Sequence, residues 1–325
     1  MKPRSTHDLD SILAALQRDY SKLSPRIRRA SHSVKGEWEG VTLHLHYPAF
    51  RQGAATVQEL VDALVHYLTP FALPRSEIAK VYEQYGKISA EDFSFRTSQL
   101  FQSAVSLFKR ANEATNRNGE AGELILFLLT EWIIGAPQLI AKMSLKTNRE
   151  MPVHGADGVH ARYCPKTSKL LLYWGESKLY GNVGQAISAA VESITDALDP
   201  EKLRHELELV QRNIDFSGLD DIGKAAILRH LDPYDDSFNE RHDVTTCLIG
   251  FDFDAFKKIS AADGDKADEK FCKLAESALS KAAQDAAQKL KAAGLADRPI
   301  ELFFLPLPSV KALRDLFQKK IGWKE

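Results

Sequence analysis

The stretch from Met151 to Tyr180, MPVHGADGVHARYCPKTSKLLLYWGESKLY, constrains the fold more than any other part of the chain. From Gly155 to Tyr163, small or apolar residues alternate with polar ones. From Leu170 to Trp174 the chain is an unbroken apolar and aromatic run, as expected of a strand buried on both faces. Pro165-Lys166-Thr167-Ser168 between them is a turn-forming cluster. If the two strands are antiparallel and the turn is centred between Lys166 and Thr167, a register follows. Val159 faces Trp174, Ala161 faces Leu172 and Asp157 faces Glu176. Lys178 then shares the face of Glu176, because side chains alternate along a strand.

That register brings two carboxylates together. Directly paired residues have Cβ atoms roughly 5 Å apart. Two charges that close repel each other unless a cation lies between them or one takes up a proton. A hard divalent cation, Mg²⁺ or in its place Mn²⁺, suits two carboxylates that leave positions open for water and phosphate. A lysine beside them can orient or activate water, or neutralise phosphate charge as it builds up. The competing reading of Asp157, Glu176 and Lys178 is an ion pair among strand-end charges.

The rest of the chain reads as alternating helices and strands. Residues 8 to 23 have helical spacing in Leu9, Ile12, Leu13 and Leu16, and a basic stretch with Arg26, Arg28, Arg29 and Lys35 follows. Val41 to Tyr47 alternates as a strand and places His44 and His46 on one face, with no third ligand nearby in sequence. Helices are expected over Val57 to Leu68, Ile78 to Tyr85 and Ser98 to Ala111. Asn116-Arg117-Asn118-Gly119 breaks the pattern, and a helix opening with Glu120 and Glu123 then runs to about Gly135, apolar nearly all round. Acidic residues in a first helical turn complement the helix dipole. After the hairpin, helices are expected over Val183 to Ala197, Glu201 to Ile214, Asp221 to Leu231, Ala267 to Ala293 and Val310 to Ile321. Strands are expected over Thr245 to Phe253 and Ile300 to Leu305, the latter broken by Pro306.

Length and charge set the outer limits. The 325 residues are ample for a core, and the division expected is 1–70, 71–200 and 201–325, the last an extension suited to a partner. A net charge of −1 argues against wholesale coating of nucleic acid, though not against a local basic groove. The three cysteines are scattered, no Cys/His cluster has zinc spacing, and the start lacks a signal-peptide core. Leu124 to Ala141 is the most apolar segment, but Glu131 and Pro137 interrupt it, so a buried helix is expected and no membrane span. The expected location is the cytoplasm, with reduced thiols.

Asp157 followed by Glu176-Ser177-Lys178 at the end of an apolar strand resembles the PD-(D/E)XK nuclease core, with Ala156 where proline usually precedes the aspartate. That resemblance implies an α/β fold in which a mixed sheet is flanked by helices. It implies a glutamate from the helix before the hairpin, here Glu123 with Glu120 as the alternative, and a glutamine after it, Gln185. A second triplet, Asp268-Glu269-Lys270, sits in a polar helical stretch and is discounted. The Gly122-Glu123 helix, His154 to His160, Trp174 to Lys178 and the late Phe303-Phe304-Leu305-Pro306-Leu307-Pro308 strand resemble the HamA family, effectors of Hachiman antiphage systems. The resemblance implies a DNA nuclease working with a HamB-like helicase. The charged segments Glu201 to Arg212 and Ala267 to Ala293 are the candidate partner surfaces. The same site would also serve hydrolysis of RNA or a small nucleotide, and the remaining alternative is a non-catalytic subunit of a helicase complex.

Overall fold

The structure is a computed structural model that describes residues 7–30, 37–38, 40–115, 119–146, 155–215 and 217–323. Residues 151–154 at the head of the hairpin stretch, Asn116-Arg117-Asn118 and Lys35 lie outside the described residues. In chain order the elements begin with α1 (His7–Ala14), β1 (Ile27–Arg29), β2 (Glu37–Trp38), β3 (Val41–Pro48), β4 (Phe50–Arg51) and β5 (Ala54–Ala55). A helical stretch follows, with α2 (Val57–Val65), α3 (Leu68–Ala72), α4 (Arg75–Tyr82), α5 (Ala90–Thr115), α6 (Glu120–Leu129) and α7 (Lys142–Lys146). Then come β6 (Gly158–Cys164), β7 (Lys169–Tyr180), α8 (Val183–Ala197), α9 (Pro200–Asn213), α10 (Asp221–Leu231), β8 (Arg241–Asp252), α11 (Ala267–Ala292), β9 (Ile300–Leu307) and α12 (Val310–Lys320).

The main sheet is mixed, in the order β1-β3-β9-β8-β7-β6, with β2 added against β3. The pairs β3–β9, β8–β9 and β7–β8 are parallel, while β6–β7 and β1–β3 are antiparallel. Sequence ranges 1–70, 71–200 and 201–325 all contribute strands to this one sheet. β8 lies in the middle, and Val244 to Phe251 is buried throughout, as expected of a strand covered on both faces. One face packs on α2, α5, α6 and α12 through residues such as Tyr173, Leu179, Leu248 and Phe303. The other packs on α8 and α11 through Cys247, Ile249, Phe251 and Phe304. Towards β6, Leu172 and Trp174 meet α1, α9 and α10 through Leu13, Leu207 and Ile227. No helix among the described residues is long and apolar enough to cross a membrane.

Several elements differ from expectation. The first helix stops at Ala14, well short of residue 23, and the helix expected over residues 57–68 ends at Val65 before α3 restarts at Leu68. The buried helix ends in a π-helical turn, Thr130–Ile134, closed by Gly135 at φ +72°. Pro306 does not break β9, which runs to Leu307. β3 pairs with β9 only as far as Phe304, so on that side Pro306 has no ladder donor to supply.

Candidate active site

The hairpin adopts the register that its turn implies. Val159 pairs with Trp174 and Ala161 with Leu172, down to Gly158 opposite Gly175. One residue earlier, the Asp157 amide donates to the Gly175 carbonyl at 2.7 Å. The ladder then ends in a side-chain cap. Asp157 Oδ2 accepts from the Ser177 amide at 2.8 Å and from the Ser177 hydroxyl at 2.9 Å. Asp157 therefore takes the place of the next strand residue as the acceptor for Ser177.

Glu176 and Lys178 stand on the α8 face of β7. Their partners on β8 are Cys247 and Ile249, which belong to the core beneath α8. Lys178 Nζ donates to Glu176 Oε1 at 2.6 Å, and both side chains are largely shielded from solvent. Burial pushes the Glu176 carboxyl above the usual glutamate range, and the charge of Asp157 pushes the same way. Lys178 and the Ser193 hydroxyl on α8 pull it back only in part. For Lys178, burial works to lower the pKa, but the carboxylates of Glu176 and Asp157 outweigh it and hold the ammonium above its ordinary value. Burial also raises the Cys247 thiol, with a further push from Glu176, so this cysteine is a neutral floor to the site. The Lys178 ammonium thus lies in the field of two carboxylates, bonded to one and acted on by the charge of the other.

The α6 glutamates approach from the other side. A Cβ on Gly122 would meet the Ser177 hydroxyl at 3.2 Å and Leu179 at 3.1 Å, so α6 lies against the face of β7 opposite Glu176 and Lys178. Glu123, half-buried, is the next residue along that helix. Glu120 is buried, and its charge acts on Arg314, which donates to the Leu179 carbonyl at 2.7 Å. Gln185 is exposed in the first turn of α8, where its amide is capped by Asn182. Lys178 is thus bonded to Glu176, with Asp157 acting on both through its charge, while Glu123, Glu120 and Gln185 belong to neighbouring elements. Among the described residues, no group of three or more His, Cys, Asp or Glu side chains is arranged to hold a metal ion. His44 and His46 lie far along the sheet on β3, where His44 Nε2 pairs with Glu301 at 2.6 Å.

Two residues escaped sequence reasoning. Ser177 occupies the unspecified position of the Glu-x-Lys triplet, yet it holds Asp157. Ser193 reaches Glu176 from a helix that the hairpin pattern does not include. Neither carries a local signal, because a serine in a strand or helix is commonplace.

A family model for HamA matches residues 27–321, nearly the whole chain. The chain belongs to the HamA family. Membership implies a Hachiman defence-related protein, and the match takes in the hairpin, β8 and β9 together. No curated protein matches the chain.

Proposed function

We propose that this HamA-family chain is a metal-dependent nuclease with a PD-(D/E)XK-like core that hydrolyses DNA phosphodiester bonds, under the control of a helicase partner. The observation that carries the reading is the trio at the open end of the hairpin. Burial first, and then the charge of Asp157, raise the pKa of Glu176, and Lys178 bonds Glu176 at 2.6 Å. Two carboxylates are hard oxygen donors of the kind that suit Mg²⁺ or Mn²⁺, which take one or two carboxylates and fill the remaining positions with water and phosphate oxygens. Bound there, the ion would supply Lewis-acid stabilisation of the phosphate and a more acidic water.

The chain's own residues have distinct parts in this reading. Asp157 and Glu176 would hold the ion. Ser177 fixes one oxygen of Asp157, so that carboxylate is oriented before any ligand arrives. Lys178 stays protonated at neutral pH and can neutralise charge growing on the phosphate. Glu123 or Glu120 would join from α6, and Gln185 would contact substrate from α8. Comparing Glu123→Gln with Glu120→Gln decides which glutamate contributes.

Control by a partner follows from the chemistry proposed. Contacts to a phosphate backbone carry no sequence information, so selection of foreign DNA must come from outside the cleavage site. The exposed faces of α9 and α11 are the candidate docking surfaces for a helicase. The test combines purified protein, plasmid DNA and Mg²⁺, with and without a co-expressed helicase encoded beside it. Expected is metal-dependent cleavage abolished by Glu176→Ala. A stable complex should leave intact duplex uncut until nucleotide and a DNA end or single strand are supplied. Cleavage of RNA alone would redirect the substrate class, and no phosphodiester cleavage under any condition would remove the enzymatic reading.

A further inference from the structure

Behind Asp157 lies a buried ion pair that the proposed chemistry does not use. Lys142, from α7, donates at 2.6 Å to Glu206 Oε2 on α9 and at 2.6 Å to the carbonyl of Ala156. Both side chains are almost fully buried, at 2% and 6% exposure. Gly155, the residue before, has φ +130°, and a Cβ there would fall 2.1 Å from Glu206 Oε1. Consecutive backbone units leading into Asp157 are therefore held by this pair, one by packing on the carboxylate and one by a bond to the ammonium.

We propose that Lys142 and Glu206 are positioning residues for the Asp157 carboxylate, and the inference deepens the metal-site reading above. The peptide between Ala156 and Asp157 is planar, so fixing the Ala156 carbonyl also fixes the direction of the Asp157 amide. That amide donates to Gly175 at 2.7 Å, and the Asp157 side chain then turns onto Ser177. The hold on Ala156 adds to these bonds in keeping the Asp157 carboxylate in place. A buried Lys–Glu pair contributes little to stability compared with well-packed apolar residues of similar size. Its use at this point is the fixed backbone, and through it the spacing of the two carboxylates.

The test uses the full-length chain in two variants. Lys142→Met with Glu206→Leu replaces the pair by apolar residues of similar volume. Gly155→Ala leaves both charges in place and pushes on Glu206 from an exposed position. The first measurement is amide hydrogen exchange at Ser177, whose protection depends on the Asp157 carboxylate. The second is Mn²⁺ binding followed by electron paramagnetic resonance. In both variants the Ser177 amide should exchange roughly tenfold faster or more, while β8 amides keep their protection. Mn²⁺ affinity should fall about 10- to 100-fold, the range for losing a support outside the ligand shell. Unchanged exchange at Ser177 in both variants overturns the proposal, as does equal loss of protection throughout β8. Faster exchange at Ser177 in a protein whose wild type binds no Mn²⁺ supports the positioning role and defeats the metal reading instead.

Discussion

Glu176 is the residue on which the site turns, because burial and two charged neighbours act on it at once. Burial penalises its charge, Asp157 repels it, and Lys178 favours it. In metal-free protein, carbon NMR of the Glu176 carboxyl should give a pKa above the ordinary glutamate value. Asp157→Asn should lower it and Lys178→Met should raise it further; changes of the opposite sign would contradict the electrostatic picture. Because the pKa is raised, ionising Glu176 for metal binding is completed only at higher pH than for an exposed glutamate, and Mn²⁺ affinity should weaken as pH falls through that raised value. In cleavage assays, Asp157→Ala and Glu176→Ala should abolish activity, while Lys178→Ala should slow it by ~10²–10³-fold with metal binding largely kept. Circular dichroism and urea midpoints accompany the assays, because Glu176 and Lys178 are largely shielded and removing either one leaves the other without its ion-pair partner. Wild-type rates in all three would end the nuclease proposal.

At the scale of elements, the site depends on which face of β7 each residue meets. Gly122 lets α6 approach Ser177 and Leu179 to 3.1–3.2 Å from a would-be Cβ. Gly122→Val should destabilise the protein by about 1–3 kcal/mol through overpacking, measured by urea denaturation. It should also displace Ser177, so a variant of unchanged stability would show that the contact is slack. Register matters equally. One residue inserted between Trp174 and Glu176 would turn Glu176 and Lys178 towards α6 and abolish Mn²⁺ binding, because each one-residue slip exchanges the faces of a strand.

At the scale of the whole molecule, His160 and His46 are buried and held in the neutral form. Burial, with Arg75 and Arg18 nearby, holds His160 down to about 4, and burial with His44 and Arg29 holds His46 down to about 3. A depressed folded-state pKa means that the unfolded chain binds more protons in acid. The stability these groups contribute is therefore present above about 6.5 and lost as pH falls towards 4. A tenfold difference in proton affinity between the folded and unfolded chain is worth ~1.4 kcal/mol, so a loss of a few kcal/mol is expected between pH 7 and 4, on top of any carboxylate contribution. Urea midpoints across that range measure it. A flat profile would mean that both imidazoles charge without penalty.

The hairpin and its register could be read from sequence because they are local. A turn cluster and an unbroken apolar run determine which residues pair, and pairing determines that Asp157 meets the Glu176 end of β7. Val183–Ala197 and Asp221–Leu231 are legible for the same reason, since helical spacing repeats within a few positions. The chain order of β3, β9, β8 and β7 in the sheet carries no such local mark, and only long-range packing places the C-terminal strands between the N-terminal strand and the hairpin. The same holds for Ser177 as the holder of Asp157, for the opposite-face position of α6, and for Lys142 and Glu206, separated by 64 residues. A sequence pattern records residue types at fixed spacings, whereas burial, charge and distance between remote residues exist only once the sheet has closed around them.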